Sequence, residues 1–155
     1  MKSTIVCKSV HHGNTMKVAR VMADVLDADL FTPEDARSAD LDGYDLYGFG
    51  SGIYAFRHHP SILNLVPDLR VSGGRSFIFS TYGLGPVTLY HRSLRRRLHG
   101  AGIPVVGEFS CKGLDRFAFL RLIGGINRGR PNDEDLRLAR CFAVNLQSEM
   151  AGEVG

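Results

Sequence analysis

The sequence predicts an α/β protein in which a parallel sheet of five strands is covered on both faces by helices. Three observations carry this expectation. Short apolar runs recur five times along the chain, most of them followed by a turn and a stretch of helical period. Strands that alternate with helices build a parallel sheet, because each crossover lays a helix on one face or the other. The length of 155 residues, with 44% apolar and 23% charged residues, suits about one domain with a single substantial core.

The first unit is the most explicit. Thr4 to Cys7 is apolar and β-branched and reads as a buried strand. Ser9 to Asn14 is polar, with one glycine, and reads as a tight turn. From Thr15 the period is helical, with Val18, Val21, Met22, Val25 and Leu26 on one face; as an ordinary strand-to-helix turn the segment would have Asn14 or Thr15 as N-cap. Ala28 to Phe31 makes a short second strand. Thr32-Pro33-Glu34-Asp35 starts a short helix: a capping hydroxyl, Pro at the first helical position and acids in the first turn. Tyr44 to Gly50 is the third strand, anchored by Leu46 and Phe49, and Gly50 to His59 is the loop after it. His59-Pro60-Ser61 opens a helix carrying Ile62, Leu63, Leu65 and Val66. Ser76 to Ser80 is the fourth strand. A single helix is expected from about Val87 to His99, with Tyr90, Leu94 and Leu98 inward. Ile103 to Phe109 is the fifth strand. Asn132 caps the last helix, whose inward residues are Leu136, Ala139, Ala143 and Leu146.

Composition narrows the function. No apolar run approaches the ~18 residues of a membrane span, and the short apolar N-terminus does not fit a secretory leader. The three cysteines are far apart and form no Cys-x-x-Cys, so reduced thiols in a cytoplasmic protein are expected. A net charge of +3 is a mild excess, and Arg92, Arg95, Arg96 and Arg97 spread over a polar helix face, so nucleic acid is not an expected partner. The six histidines lack a metal-ligand spacing supported by Cys or acids, and no nucleophile–base arrangement is visible.

The first turn carries the functional argument. A strand running into a helix start gathers backbone N–H groups at one point and favours an anion there. Neither a Gly-x4-Gly-Lys-Ser/Thr pattern nor a Gly-x-Gly-x-x-Gly fingerprint is present. The turn is built of hydroxyl, amide and imidazole groups without Lys or Arg, which suits the terminal phosphate of a mononucleotide. Ser9, His11, His12, Gly13, Asn14 and Thr15 are its candidate ligands. The segment resembles the phosphate loop of the flavodoxin family, which commonly ends in Thr-Gly-x-Thr; Gly13, Asn14 and Thr15 match, whereas Val10, His11 and His12 stand where the family often has hydroxyls.

The resemblance covers essentially the whole chain. It implies a flavodoxin-like three-layer sandwich, residues 1–155 as one domain, with strand order 2-1-3-4-5 and FMN at the switch point between strands one and three. It also implies two further loops at the flavin. Gly50, Ser51, Gly52, Ile53 and Tyr54 stand where the family carries an aromatic residue stacking on the ring, and Tyr54 is the candidate. Ser80, Thr81, Tyr82, Gly83 and Gly85 stand where the family supplies the other ring contacts, with Tyr90 behind Tyr82. Low-potential members carry Gly after the stacking aromatic and acids around the ring. Here Ala55 and Phe56 follow, and Arg57, His58 and His59 predict a positive neighbourhood that raises the potential.

Residues 111–130 form an inserted loop or lid, rich in Arg and in Phe, Leu and Ile, with a possible role in peripheral membrane contact through 112–130. Its layout is more weakly similar to quinone-dependent protoporphyrinogen oxidases of the same fold group. Three readings follow. The first is an FMN electron carrier serving a redox partner protein. The second is an FMN-dependent oxidoreductase acting on a quinone-like or anionic small molecule. The third is a fold relative that has lost FMN and serves interaction only.

Overall fold

The computed structural model describes residues 1–10, 13–113, 127 and 129–152. Its centre is strand β1, Ser3–Lys8, buried over its first five residues. β1 pairs in parallel with β2, Ala28–Phe31, on one side and β3, Leu46–Tyr54, on the other. β3 pairs with β5, Arg75–Tyr82, and β5 with β6, Val105–Lys112, again in parallel. The order β2-β1-β3-β5-β6 is the expected one for the five parallel strands. A two-residue strand, β4, Arg57–His58, is added antiparallel to the end of β3.

Side chains alternate between the two faces. One face takes Ile5, Cys7, Leu46, Phe77 and Phe79 under helices α1, Asn14–Leu26, and α6, Asp133–Gly152. The other takes Val6, Tyr47, Phe49 and Ile78 under α2, Pro33–Ser38, α3, Pro60–Leu65, and α5, Arg92–Gly100. Gly48 and Gly50 of β3 lie opposite Phe77 and Phe79 of β5. A Cβ on either glycine would run into the ring of its neighbour, so these two glycines make room for the largest side chains on that face.

The helix starts follow local chemistry. Thr32 Oγ1 accepts from the Asp35 N–H at 3.1 Å. Asn132 Oδ1 accepts from the Asp135 N–H at 3.0 Å, while Asp135 Oδ2 accepts from the Asn132 N–H at 2.9 Å, a reciprocal capping box. Arg130 pairs with the buried Asp135 at 2.6 Å.

Three expectations need correction. The cap of α1 is Gly13, with φ 66°, and Asn14 and Thr15 are its first helical residues. The helix expected from Val87 to His99 breaks at His91 into α4, Val87–Tyr90, and α5, with both His91 ring nitrogens engaged by side chains of β5 and β6. Gly50 to Tyr54 is not a loop. β3 continues through it and returns as β4 through a two-residue turn in which Ala55 and Phe56 both have positive φ, 45° and 64°. That left-handed pair matches the twist of the flanking strands, which is why so short a connection closes here.

Candidate phosphate turn and aromatic rim

The carboxyl edge of the sheet brings the three predicted segments together at the switch point between β1 and β3. Ser9 and Val10 leave β1, and Gly13 in the left-handed region turns the chain into α1. Among the described residues beyond its chain neighbours, nothing lies within 4 Å of where a Cβ on Gly13 would project. Among the described residues the first helical hydrogen bond runs from the Lys17 N–H to the Gly13 carbonyl at 3.0 Å, so the amides of the first turn of α1 face the β1–α1 turn. Gly13 brings no capping side chain to them. His11 and His12 lie outside the described residues.

The loop after β5 joins this turn through side chains. Thr15 and Thr81 share a buried hydroxyl–hydroxyl hydrogen bond of 2.8 Å. Tyr54 spans from β3 to the same turn. Its ring folds back over Gly52, where a Cβ would sit 2.9 Å from the hydroxyl, and it packs edge-on against His59. Burial pushes the Tyr54 phenol up, opposed by a hydrogen bond with the Val10 backbone. Tyr82 lies 6.3 Å from Tyr90 between ring centroids, and Tyr90 donates its hydroxyl to the Leu84 carbonyl. The Tyr90 hydroxyl fills the space a Cβ on Gly85 would need, so Gly85, with φ 103°, is required by this contact. Gly83 is tied through its carbonyl to Asn127 at 3.0 Å. Gly113, which the sequence reading left out, bonds the Tyr82 carbonyl at 2.9 Å and lies against Asn14.

Two predicted hydroxyls point elsewhere. Ser51 is fully buried, and its Oγ accepts from the His59 N–H at 2.9 Å and bonds His58 Nδ1 at 3.0 Å. Ser80 is fully buried against His91 Nε2 at 2.7 Å. Both occupy the α3/α5 side of the sheet, opposite the Thr15–Thr81 contact, because they differ in strand parity from the residues that face α1. Gly50 likewise sits inside β3, beside Phe79. Ser51 and Ser80 thus turn their hydroxyls to the face opposite α1, while Gly50 faces the α1 side with the Phe79 ring filling the space beside it. Ile53 is half-buried in β3 and pairs with His58.

The expected positive neighbourhood also changes. His58 is fully buried and desolvation pushes it down to about 3, so it is neutral at ordinary pH. Burial lowers His59 as well, with Lys8 adding to the effect. Of the trio, Arg57 alone is a permanent charge, and it is exposed.

Sequence reasoning missed the partners of these serines. Ser80, His91 and Glu108 form a string, with His91 Nδ1 2.9 Å from Glu108 Oε2, and Arg95 bonds the same carboxylate at 2.5 and 2.7 Å. The spacing resembles a nucleophile–base–acid triad, but Ser80 and His91 are sealed in the core and cannot meet a substrate. The three residues lie on different elements, so no local motif announces them.

Around the open turn the surface is apolar. Phe56 is 76% exposed and Leu84 71% exposed, with Leu89 and Val10 also exposed at the same edge. Phe56 lies 6.2 Å from Tyr90 between ring centroids. Among the described residues the turn thus joins hydroxyls and amides to nearby tyrosines and apolar side chains. Among the described residues no group of three or more His, Cys, Asp or Glu could hold a metal ion, and no helix is long and apolar enough to cross a membrane.

The three segments thus meet at the switch point of a doubly wound parallel sheet. Residues 5–85, just over half of the chain, match the family model described as a flavodoxin domain, and the chain belongs to that family. An uncharacterized protein of Methanocaldococcus jannaschii is 39% identical over 147 residues, 94% of this chain and 98% of that one. Solved structures share the fold at low identity. Rubredoxin oxygen:oxidoreductase from the anaerobe Desulfovibrio gigas matches 99% of this chain with a TM-score of 0.73 at 16% identity, and the match spans 37% of that longer chain. A flavodoxin from the domain Archaea matches 97% of this chain and 99% of its own, with a TM-score of 0.62 at 14% identity. Oxidised flavodoxin 1 from Bacillus cereus matches 93% and 95%, with a TM-score of 0.65 at 16% identity.

Proposed function

We propose that this protein binds FMN at the β1–α1 turn and transfers electrons through it in the cytoplasm. The observation that carries the proposal is the turn itself. A left-handed Gly13 opens directly onto the first amides of α1, at the switch point of the sheet, with Thr15 locked to Thr81 across the site. Membership of the flavodoxin family supports the choice of ligand.

In this reading Ser9, Gly13, Asn14 and Thr15 would hold the phosphate, chiefly through backbone N–H groups. Tyr54 and Tyr82 would flank the ring, with Gly52 and Gly85 making room for the Tyr54 and Tyr90 side chains beside it and Gly83 in the loop after β5. The bound flavin supplies the redox chemistry, and the protein supplies position and electrostatics. The exposed Phe56, Leu84 and Leu89 beside Arg57 suit an apolar or mildly anionic reaction partner, so a quinone-like small molecule is a second candidate beside a redox protein.

The test is titration with FMN, followed by flavin fluorescence and by absorbance near 450 nm. Gly13→Val combined with Thr15→Val strains the turn and removes the hydroxyl pair. Loss of about 2 kcal/mol of binding, roughly thirtyfold in Kd, is expected. Unchanged affinity in the folded double variant would place the ligand elsewhere, and no binding by the parent would leave an interaction module. Turnover of a quinone by the reduced holoprotein would select the enzyme over the carrier.

A further inference from the structure

Behind the proposed flavin site lies a buried polar string that the site itself does not use. His91 is 1% exposed, and both of its ring nitrogens are engaged: Nε2 with Ser80 Oγ at 2.7 Å and Nδ1 with Glu108 Oε2 at 2.9 Å. Ser80 immediately precedes Thr81, which reaches Thr15 on the opposite face of the sheet. The string therefore starts at the neighbour of the β5 residue that bonds Thr15. It ends at the surface, where Arg95 of α5 holds Glu108.

We infer that His91 is a proton acceptor linked to the flavin, taking up one proton when the flavin is reduced and releasing it on reoxidation. The inference rests on the FMN reading above. His91 is suited to the role because each protonation state is fully hydrogen-bonded. When neutral, Nδ1–H donates to the Glu108 carboxylate and Nε2 accepts from the Ser80 hydroxyl. When protonated, Nε2–H donates to Ser80 Oγ and the new charge stands beside a carboxylate. His58, whose ring centroid lies 5.1 Å from that of His91, makes the contrast. Among the described residues it has no acid partner and its buried Nε2 has no hydrogen bond, and desolvation keeps it neutral.

The groups that face His91 set its balance. From β6, Glu108 favours the charged form; from α5, Arg95 opposes it. From β4, His58 adds a neutral ring, and from β5, Ser80 adds a hydroxyl. Burial is the largest influence and holds His91 below its ordinary value, so it is unprotonated while the flavin is oxidised near neutral pH. Two electrons from an external reductant, with one proton bound by the flavin itself, leave the flavin with one more negative charge. That charge favours a proton at His91, taken from solvent past Glu108. Two electrons and two protons are then bound in all, one proton on each partner.

The test uses the FMN-loaded protein and inorganic dithionite. The flavin midpoint potential is measured from pH 6 to 8, and the imidazole nitrogens are followed by NMR in both redox states. Near neutral pH the parent should bind close to two protons per two electrons, and the His91 nitrogens should move from one neutral tautomer to the doubly protonated pattern. His91→Gln should bind one proton fewer while retaining FMN. Arg95→Gln, on the exposed side of Glu108, should shift the His91 transition to higher pH. Absence of bound FMN in the parent would remove the FMN reading and the inference together. With FMN bound, an unchanged neutral His91 on reduction, or the same proton count in His91→Gln, would overturn the inference alone. Should His91→Gln fail to fold, the parent NMR and the Arg95→Gln shift decide.

Discussion

Gly50 separates two roles that one residue could have at this site. The sequence places it in a cofactor loop, whereas the structure places it in β3 with Phe79 directly opposite. A methyl group at Gly50 would overlap three atoms of the Phe79 ring. Phe79 is fully buried and packs with Phe77, whose ring centroid is 6.0 Å away, so the ring cannot swing aside freely. Overpacking of this kind costs about 1–3 kcal/mol, and the central, rigid setting argues for the upper half of that range. For a chain of this size the loss corresponds to a fall in Tm of roughly 5–10 °C. Phe79→Leu removes the obstructing ring and on its own should cost about 1–2 kcal/mol through the space it leaves. Because the added methyl fills part of that space, the double variant should be more stable than the sum of the single effects by about 1–2 kcal/mol. Urea unfolding of the four proteins measures this coupling. Strict additivity, or a Gly50→Ala protein as stable as the parent, would refute the packing argument. A stable Gly50→Ala protein with weakened FMN binding would restore the cofactor role.

Other outcomes follow from the same geometry. Tyr54→Leu should recover part of the fluorescence that bound flavin loses in the parent, and unchanged quenching would show that another ring covers the flavin. His58 has its folded value depressed to about 3 from 6.5, so the unfolded chain binds the extra proton between those values. Stability should therefore be intact above pH 6.5 and fall as pH drops toward 3, and unfolding measured across that range should flatten in His58→Gln. Cys7 and Cys111 are buried and pushed up to about 12, mainly by desolvation, whereas Cys141 is exposed. A thiol reagent should label one cysteine quickly in the native protein and all three after unfolding; fast labelling of two or three native thiols would contradict the burial.

What the sequence determined by itself was local. The alternation of apolar runs with helical periods prescribes a parallel sheet, and the inward residues of α1, α5 and α6 follow from the 3.6 period because that period is a property of the helix alone. Thr32 and Asn132 were legible as caps, since a cap and its target amide lie three residues apart. Gly13 marked the turn between β1 and α1, because a single φ above zero decides it. The tertiary structure decided whatever depends on strand parity and on partners distant in sequence. Ser80 and Thr81 are adjacent, yet one faces α5 and the other α1, and only the register against β3 and β6 says which. β3 runs past Gly50 because Ser51 and Gly52 pair with the neighbouring parallel strands, and on to Tyr54 because β4 returns to pair with its end. His91 and Glu108 stand 17 residues apart on a helix boundary and an edge strand. No periodicity joins such a pair; the fold does, by laying α5 across β5 and β6 so that a buried imidazole must find its hydrogen bonds there.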